Sequence, residues 1–185
     1  MEAFGAESWL PSVVSVSLIR EIVPVITALI CAGKIGSSIG AELGSMKVTE
    51  QIDAMEVSGT HPFKYLVVTR TLAATLMVPL LIIISDTISL LGAFLGVNMK
   101  QVTTFHLFTT QIFEKLSFGD VIPSVTKSIF FGFAIGIIGA FKGYNTHNGT
   151  SGVGTAANSA VVMSIYVLFI LDLLAAQISE ILHLT

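Results

Sequence analysis

Four long apolar stretches divide the chain, over residues 10–41, 65–97, 121–141 and 156–182. The first is interrupted only by Arg20-Glu21 and Lys34. A helix rises about 1.5 Å per residue, so roughly 20 apolar residues cross the hydrocarbon of a bilayer. Each stretch is long enough or nearly so. An open sheet could not satisfy its backbone polar groups in lipid, whereas a helix satisfies its own. The pattern therefore predicts an all-α, polytopic membrane protein, with about four transmembrane helices in one membrane domain over residues 1–185.

The connectors between the stretches differ in character. Residues 42–64 hold Glu42, Lys47, Glu50, Asp53, Glu56 and Lys64, too polar to span. Within them, residues 49–56 predict a short amphipathic helix with Val48, Ile52 and Met55 on one side and Glu50, Asp53 and Glu56 on the other. Thr49 stands where its hydroxyl would cap that helix. Residues 98–120 mix Phe105, Leu107, Phe108, Ile112 and Phe113 with polar positions, as a surface or interfacial helix would. Residues 142–155 are rich in Gly, Asn and Thr and predict a flexible loop. Flanking cations favour the side carrying the first and third connectors, with Lys34, Lys47, Lys64, Arg70 and Lys142 against Lys100 and Lys115. The positive-inside rule then places residues 42–64 in the cytoplasm.

Glycines recur at four-residue spacing: Gly36, Gly40 and Gly44, then Gly92/Gly96, Gly132/Gly136 and Gly139/Gly143. Small residues so spaced let helix backbones approach within a bilayer. Packing inside one subunit and a seam between two subunits both satisfy that pattern.

Composition agrees with the pattern. Of 185 residues, 53% are hydrophobic and 11% charged, against about 25% charged in a soluble domain. The net charge of −3, with no basic run, points away from nucleic acid. One cysteine, Cys31, excludes a disulfide framework within the chain. Gly33-Lys34 is followed by Ile35-Gly36, not by the Ser or Thr of a phosphate-binding loop. Four histidines scattered over connectors and tail have no metal-ligand spacing. The expectation is a non-catalytic subunit with no cofactor or metal of its own.

The informative residues are the ionisable ones inside the apolar stretches: Arg20, Glu21, Asp86, Lys127 and Asp172. Each costs about 2.5–3.5 kcal/mol at a helix centre on insertion scales, so each should face protein or water. Counted at helical rise, all five fall in the outer half of the membrane. They either pair to hold the bundle, Lys127 with Asp172 for example, or line a polar cavity for a charged headgroup. On a helical wheel Arg20, Thr27 and Lys34 lie within about 40° of one another, a polar stripe suited to such a path.

The motifs Glu-Ile-Val-Pro-Val (21–25), Ala-Gly-Lys-Ile-Gly-Ser (32–37) and Glu-Leu-Gly-Ser-Met-Lys-Val-Thr-Glu-Gln-Ile-Asp-Ala-Met (42–55) closely resemble the MlaE family of permeases. These serve ABC lipid transporters associated with Mce-domain proteins. Phe141-Lys142-Gly143-Tyr144 and Leu171-Asp172 fit the same pattern, which covers nearly the whole chain. The resemblance implies a homodimeric permease in the bacterial inner membrane, with two cytoplasmic ATPase subunits that bind ATP and magnesium. It implies an Mce-domain protein on the periplasmic side and a phospholipid or related lipid as cargo. Arg20, Glu21, Lys127 and Asp172 would then contact substrate. Glu42, Met46, Thr49, Glu50, Gln51, Asp53 and Glu56 would form the helix that couples to the ATPase. Members of the family usually carry an interfacial helix and a further span before the point matched by Met1. Two other classes fit the residues alone: an ion-coupled secondary transporter using Asp86, Lys127 and Asp172, and a membrane scaffold.

Overall fold

The computed structural model describes residues 10–98, 104, 108–110, 118–147 and 149–181. Every secondary-structure element among them is helical, and four helices are long and apolar enough to cross a membrane. The first runs from Leu10 to Val48 as α1 (Leu10–Ser17), a π-helical turn (Leu18–Ile22), α2 (Val23–Cys31), a second π turn (Ala32–Gly36) and α3 (Ser37–Val48). The short α4 (Gln51–Val57) follows, and a third π turn (Phe63–Val68) leads into α5 (Thr69–Asn98). The last two long helices are α6 (Phe118–Tyr144) and α7 (Gly149–Ile181).

The π turns have local causes. Pro24 has no N–H to give the carbonyl four residues back, and its ring crowds that carbonyl, so the turn before it widens. The second π turn contains Gly33 and Gly36, which place no side chain against the distorted backbone. Each π turn holds one residue more than an α turn. A wheel drawn at 3.6 residues per turn therefore does not carry from Arg20 to Lys34, and the single polar stripe expected there is not a straight one. Arg20 is half-buried while Lys34 is exposed.

α6 is the central helix, packed on the first long helix, α5 and α7. Its glycines make that possible. A Cβ on Gly136 would stand 2.8 Å from Thr71 Cα of α5, and one on Gly143 would stand 2.7 Å from Leu43 Cβ of α3. On α3, a Cβ at Gly40 would lie 3.2 Å from Ala160 Cβ of α7. Three of the four glycine sets thus pack helices within the chain. Gly92 and Gly96 of α5 meet nothing within 4 Å among the described residues.

Two apolar cores follow from this packing. One joins Ala28, Val78, Ile82, Phe131, Ile135 and Leu168 at mid-height. The other joins Ile39, Leu43, Leu66, Val67 and Ala140 to Ile52 of α4, which is 1% exposed.

Three expectations need correction. The first helix does not end near residue 41 but continues to Val48, so Glu42 and Met46 belong to α3. Thr49 does not cap α4: its hydroxyl donates to the Ser45 carbonyl at 2.8 Å, as a threonine at a helix C-terminus does. Glu50, with φ of 60°, holds the N-cap position and makes no side-chain cap bond. Nor are residues 142–155 a flexible loop. α6 runs to Tyr144 and α7 starts at Gly149, so the glycines there serve a sharp turn and a helix start. Gly149 has φ of 64°, and a Cβ on Gly152 would run into the His147 carbonyl. The surface-helix expectation for residues 98–120 falls mainly outside the described residues.

Candidate functional site

Arg20 and Glu21 sit in the π turn between α1 and α2, opposite Lys127 on α6 and Asp172 on α7. Lys127 is the anchor. Its side chain is 5% exposed, and its Nζ donates to Glu21 Oε2 at 2.8 Å and to Asp172 Oδ1 at 3.1 Å. One ammonium thus ties three helices together. Buried, it would be costly without such partners, and two carboxylates more than offset its charge. Arg20 reaches the other way, its Nη2 donating to Ser179 Oγ of α7 at 3.5 Å. The four charges sum to zero.

Arg20, Glu21 and Lys127 line a cavity of about 350 Å³. Arg20, Glu21, Lys127, Thr126 and Ser179 supply its polar groups. Its walls are apolar, with Phe130, Phe131, Leu171 and Leu174 prominent among them. Asp172 is not in the wall itself and meets the cavity through Lys127. The arrangement can hold an amphipathic molecule, with the polar end against Arg20 and the Lys127 cluster and the apolar part along the aromatic and leucine wall.

Of the five intramembrane charges, four gather here. Asp86 does not line the cavity, and its buried Oδ1 has no hydrogen-bond partner among the described residues. Ser179, Thr126 and the paired phenylalanines carried no sequence signal, because hydroxyl and aromatic residues recur all along apolar helices.

The second cluster lies at the turn between α3 and α4. Glu50, Gln51, Asp53 and Glu56 are exposed, while Ile52 is buried and Met46 and Met55 pack partly against the lower core. Lys47 pairs with Asp53 at 2.7 Å across the turn. Glu42 is engaged elsewhere, accepting from Arg70 Nη2 at 2.6 Å and Nε at 3.3 Å. That forked pair fixes the base of α5 to α3. The result is a short acidic helix at one end of the bundle, with Glu50, Gln51 and Glu56 exposed on its polar face.

A family model described as Permease MlaE matches residues 1–178. A probable ABC transporter permease protein of Rickettsia typhi is 41% identical over 175 residues, covering 95% of this chain and 68% of that protein. A probable ABC transporter permease protein of Synechocystis is 38% identical over 167 residues, 90% of this chain and 64% of that protein. The chloroplastic protein TRIGALACTOSYLDIACYLGLYCEROL 1 of Arabidopsis thaliana is 33% identical over 168 residues, 91% of this chain and 48% of that protein. The chain thus spans between about half and two-thirds of the length of these relatives.

Proposed function

The chain belongs to the MlaE family of permeases, and from that premise we propose that it is the membrane subunit through which an ABC transporter moves a phospholipid or related lipid. The observation that carries this reading is the cavity, apolar over most of its wall and lined as well by Arg20, Glu21 and Lys127. A solute without tails would gain nothing from Phe130, Phe131, Leu171 and Leu174, and a tail without a headgroup would gain nothing from Arg20. The lipid's phosphate would meet the guanidinium of Arg20, while Glu21 and Asp172 hold Lys127 in place beside it.

In this reading the chain performs no bond chemistry. Two ATPase subunits hydrolyse ATP on the cytoplasmic side, and α4, with Glu50, Gln51, Asp53 and Glu56, docks into them. Nucleotide binding there shifts the population between two arrangements of the bundle, because the partner binds one better than the other. Glu42 and Arg70 keep α3 and α5 moving as a unit. A homodimer in the bacterial inner membrane and an Mce-domain protein beyond the outer leaflet complete the assembly.

The test is purification of the whole complex with paired variants. E50K/E56K is expected to lose the ATPase on co-purification. R20A is expected to keep the ATPase but to slow lipid transfer between vesicles by about tenfold, the loss of a charge-assisted contact. Transfer at the unaltered rate in R20A, or an ATPase retained by E50K/E56K, overturns the corresponding half of the proposal.

A further inference from the structure

Lys34 lies well inside the 36-residue apolar helix Val13–Val48, yet its side chain is exposed. Among the described residues it has neither an ion pair nor a hydrogen bond. An ammonium without a counter-charge beside an apolar helix face is costly. The nearest carboxylate along its helix, Glu42, is about 12 Å away at helical rise and is already closed onto Arg70. Counted at helical rise, Lys34 lies about 21 Å beyond Arg20 toward α4, so with Arg20 in one half of a hydrocarbon layer about 30 Å thick it falls near the opposite boundary, where a lipid phosphate can meet it.

We propose that Lys34 is a second station for the phosphate of a lipid headgroup, distinct from the Arg20–Lys127 cavity and about 20 Å from it along the helix. The inference rests on the lipid reading above. The surface around Lys34 suits such a ligand. A Cβ on Gly33 would meet nothing within 4 Å among the described residues, so none of them blocks approach to the backbone beside the ammonium. Ser38, one turn on, is exposed and offers a hydroxyl donor. On the other side Ile26 and Ile30 are 52% and 66% exposed, an apolar strip along which tails can lie. The π turn Ala32–Gly36 places the lysine on this strip rather than in line with Arg20. The two cations also differ in state. The charge of Lys127 is offset by Glu21 and Asp172, whereas Lys34 has no carboxylate partner among the described residues.

The test uses the permease purified with its native subunits, loaded with phosphatidylglycerol and weighed by native mass spectrometry. K34M keeps the side chain's length and removes its charge. It is expected to lower the bound phosphatidylglycerol by about one per permease and to slow transfer about tenfold, while K34R stays within about twofold. Subunit stoichiometry should stay the same in both. Excess inorganic phosphate should leave the lipid count unchanged, since a free ion brings no tails. An unaltered lipid count and transfer rate in K34M overturns the proposal. A complex that loses subunits in K34M overturns it too, because Lys34 would then be closing an interface. Displacement of lipid by inorganic phosphate would assign the station to a free anion instead. If R20A slows transfer and K34M does not, only the second station falls. If neither does, the lipid reading of the cavity falls with it.

Discussion

Lys127 sets the local electrostatics of the cavity. A fully enclosed ammonium between Glu21 and Asp172 is stable only as a set, because removing the cation leaves two carboxylates facing each other. We expect K127M to destabilise the bundle by about 2 kcal/mol, discounted from a fully buried pair because the Glu21 side chain is 44% exposed. Thermal unfolding in detergent reads this directly, and replacing Asp172 with Asn in the same background should recover part of the loss. An unshifted midpoint in K127M would mean that the cluster holds nothing together. The sequence made the pairing of Lys127 with Asp172 legible, since opposite charges at similar depth must neutralise. It did not make Ser179 legible as the partner of Arg20, because spacing along one helix says nothing about which turn of another helix faces it. The capping role expected of Thr49 failed for a related reason. A threonine hydroxyl can serve the helix before it as well as the one after, and here it turned back to Ser45.

The helices themselves are held by absent side chains. Gly132, Gly136, Gly139 and Gly143 give α6 a face without Cβ atoms, and both α5 and α3 press their backbones into it. G136V should therefore cost about 1–3 kcal/mol, since the new branch would meet Thr71 Cα and the Thr71 carbonyl and force the helices apart. G92V, facing open space on α5, should stay within about 0.5 kcal/mol when the two are compared by the same thermal scan. Equal losses in both would contradict the packing. Periodicity alone could propose either an internal or an intersubunit seam for each glycine set; the coordinates divide them, with three sets internal and Gly92/Gly96 left on the outer surface. The element boundaries were less legible. Glu42 and Lys47 made residues 42–48 read as connector, but Glu42 pairs with Arg70 and Lys47 with Asp53, so those polar groups are compatible with another two turns of helix. The π turns were not legible because Pro24, Gly33 and Gly36, which permit them locally, are also compatible with other geometries.

At the scale of the molecule, everything functional depends on which way the bundle sits in the membrane. The cavity and α4 lie toward opposite ends of the first long helix, separated by about 28 residues between Arg20–Glu21 and Thr49, or roughly 40 Å at helical rise, slightly less through the π turns. That separation lets one end meet a lipid and the other a soluble motor, provided α4 is cytoplasmic. The cation count around the connectors supports this placement. Chemistry supplies a sharper measure. Cys31 is buried, so a membrane-impermeant maleimide meets little native background. Val57, at the end of α4, is 91% exposed. V57C should be labelled in inverted vesicles, whose cytoplasmic face is outward, and protected in right-side-out ones. Labelling only in right-side-out vesicles would put α4 on the wrong face to touch a cytoplasmic ATPase. It would also place the charged cavity nearer the cytoplasm, so the direction in which hydrolysis drives the headgroup would have to be redrawn from the cavity end.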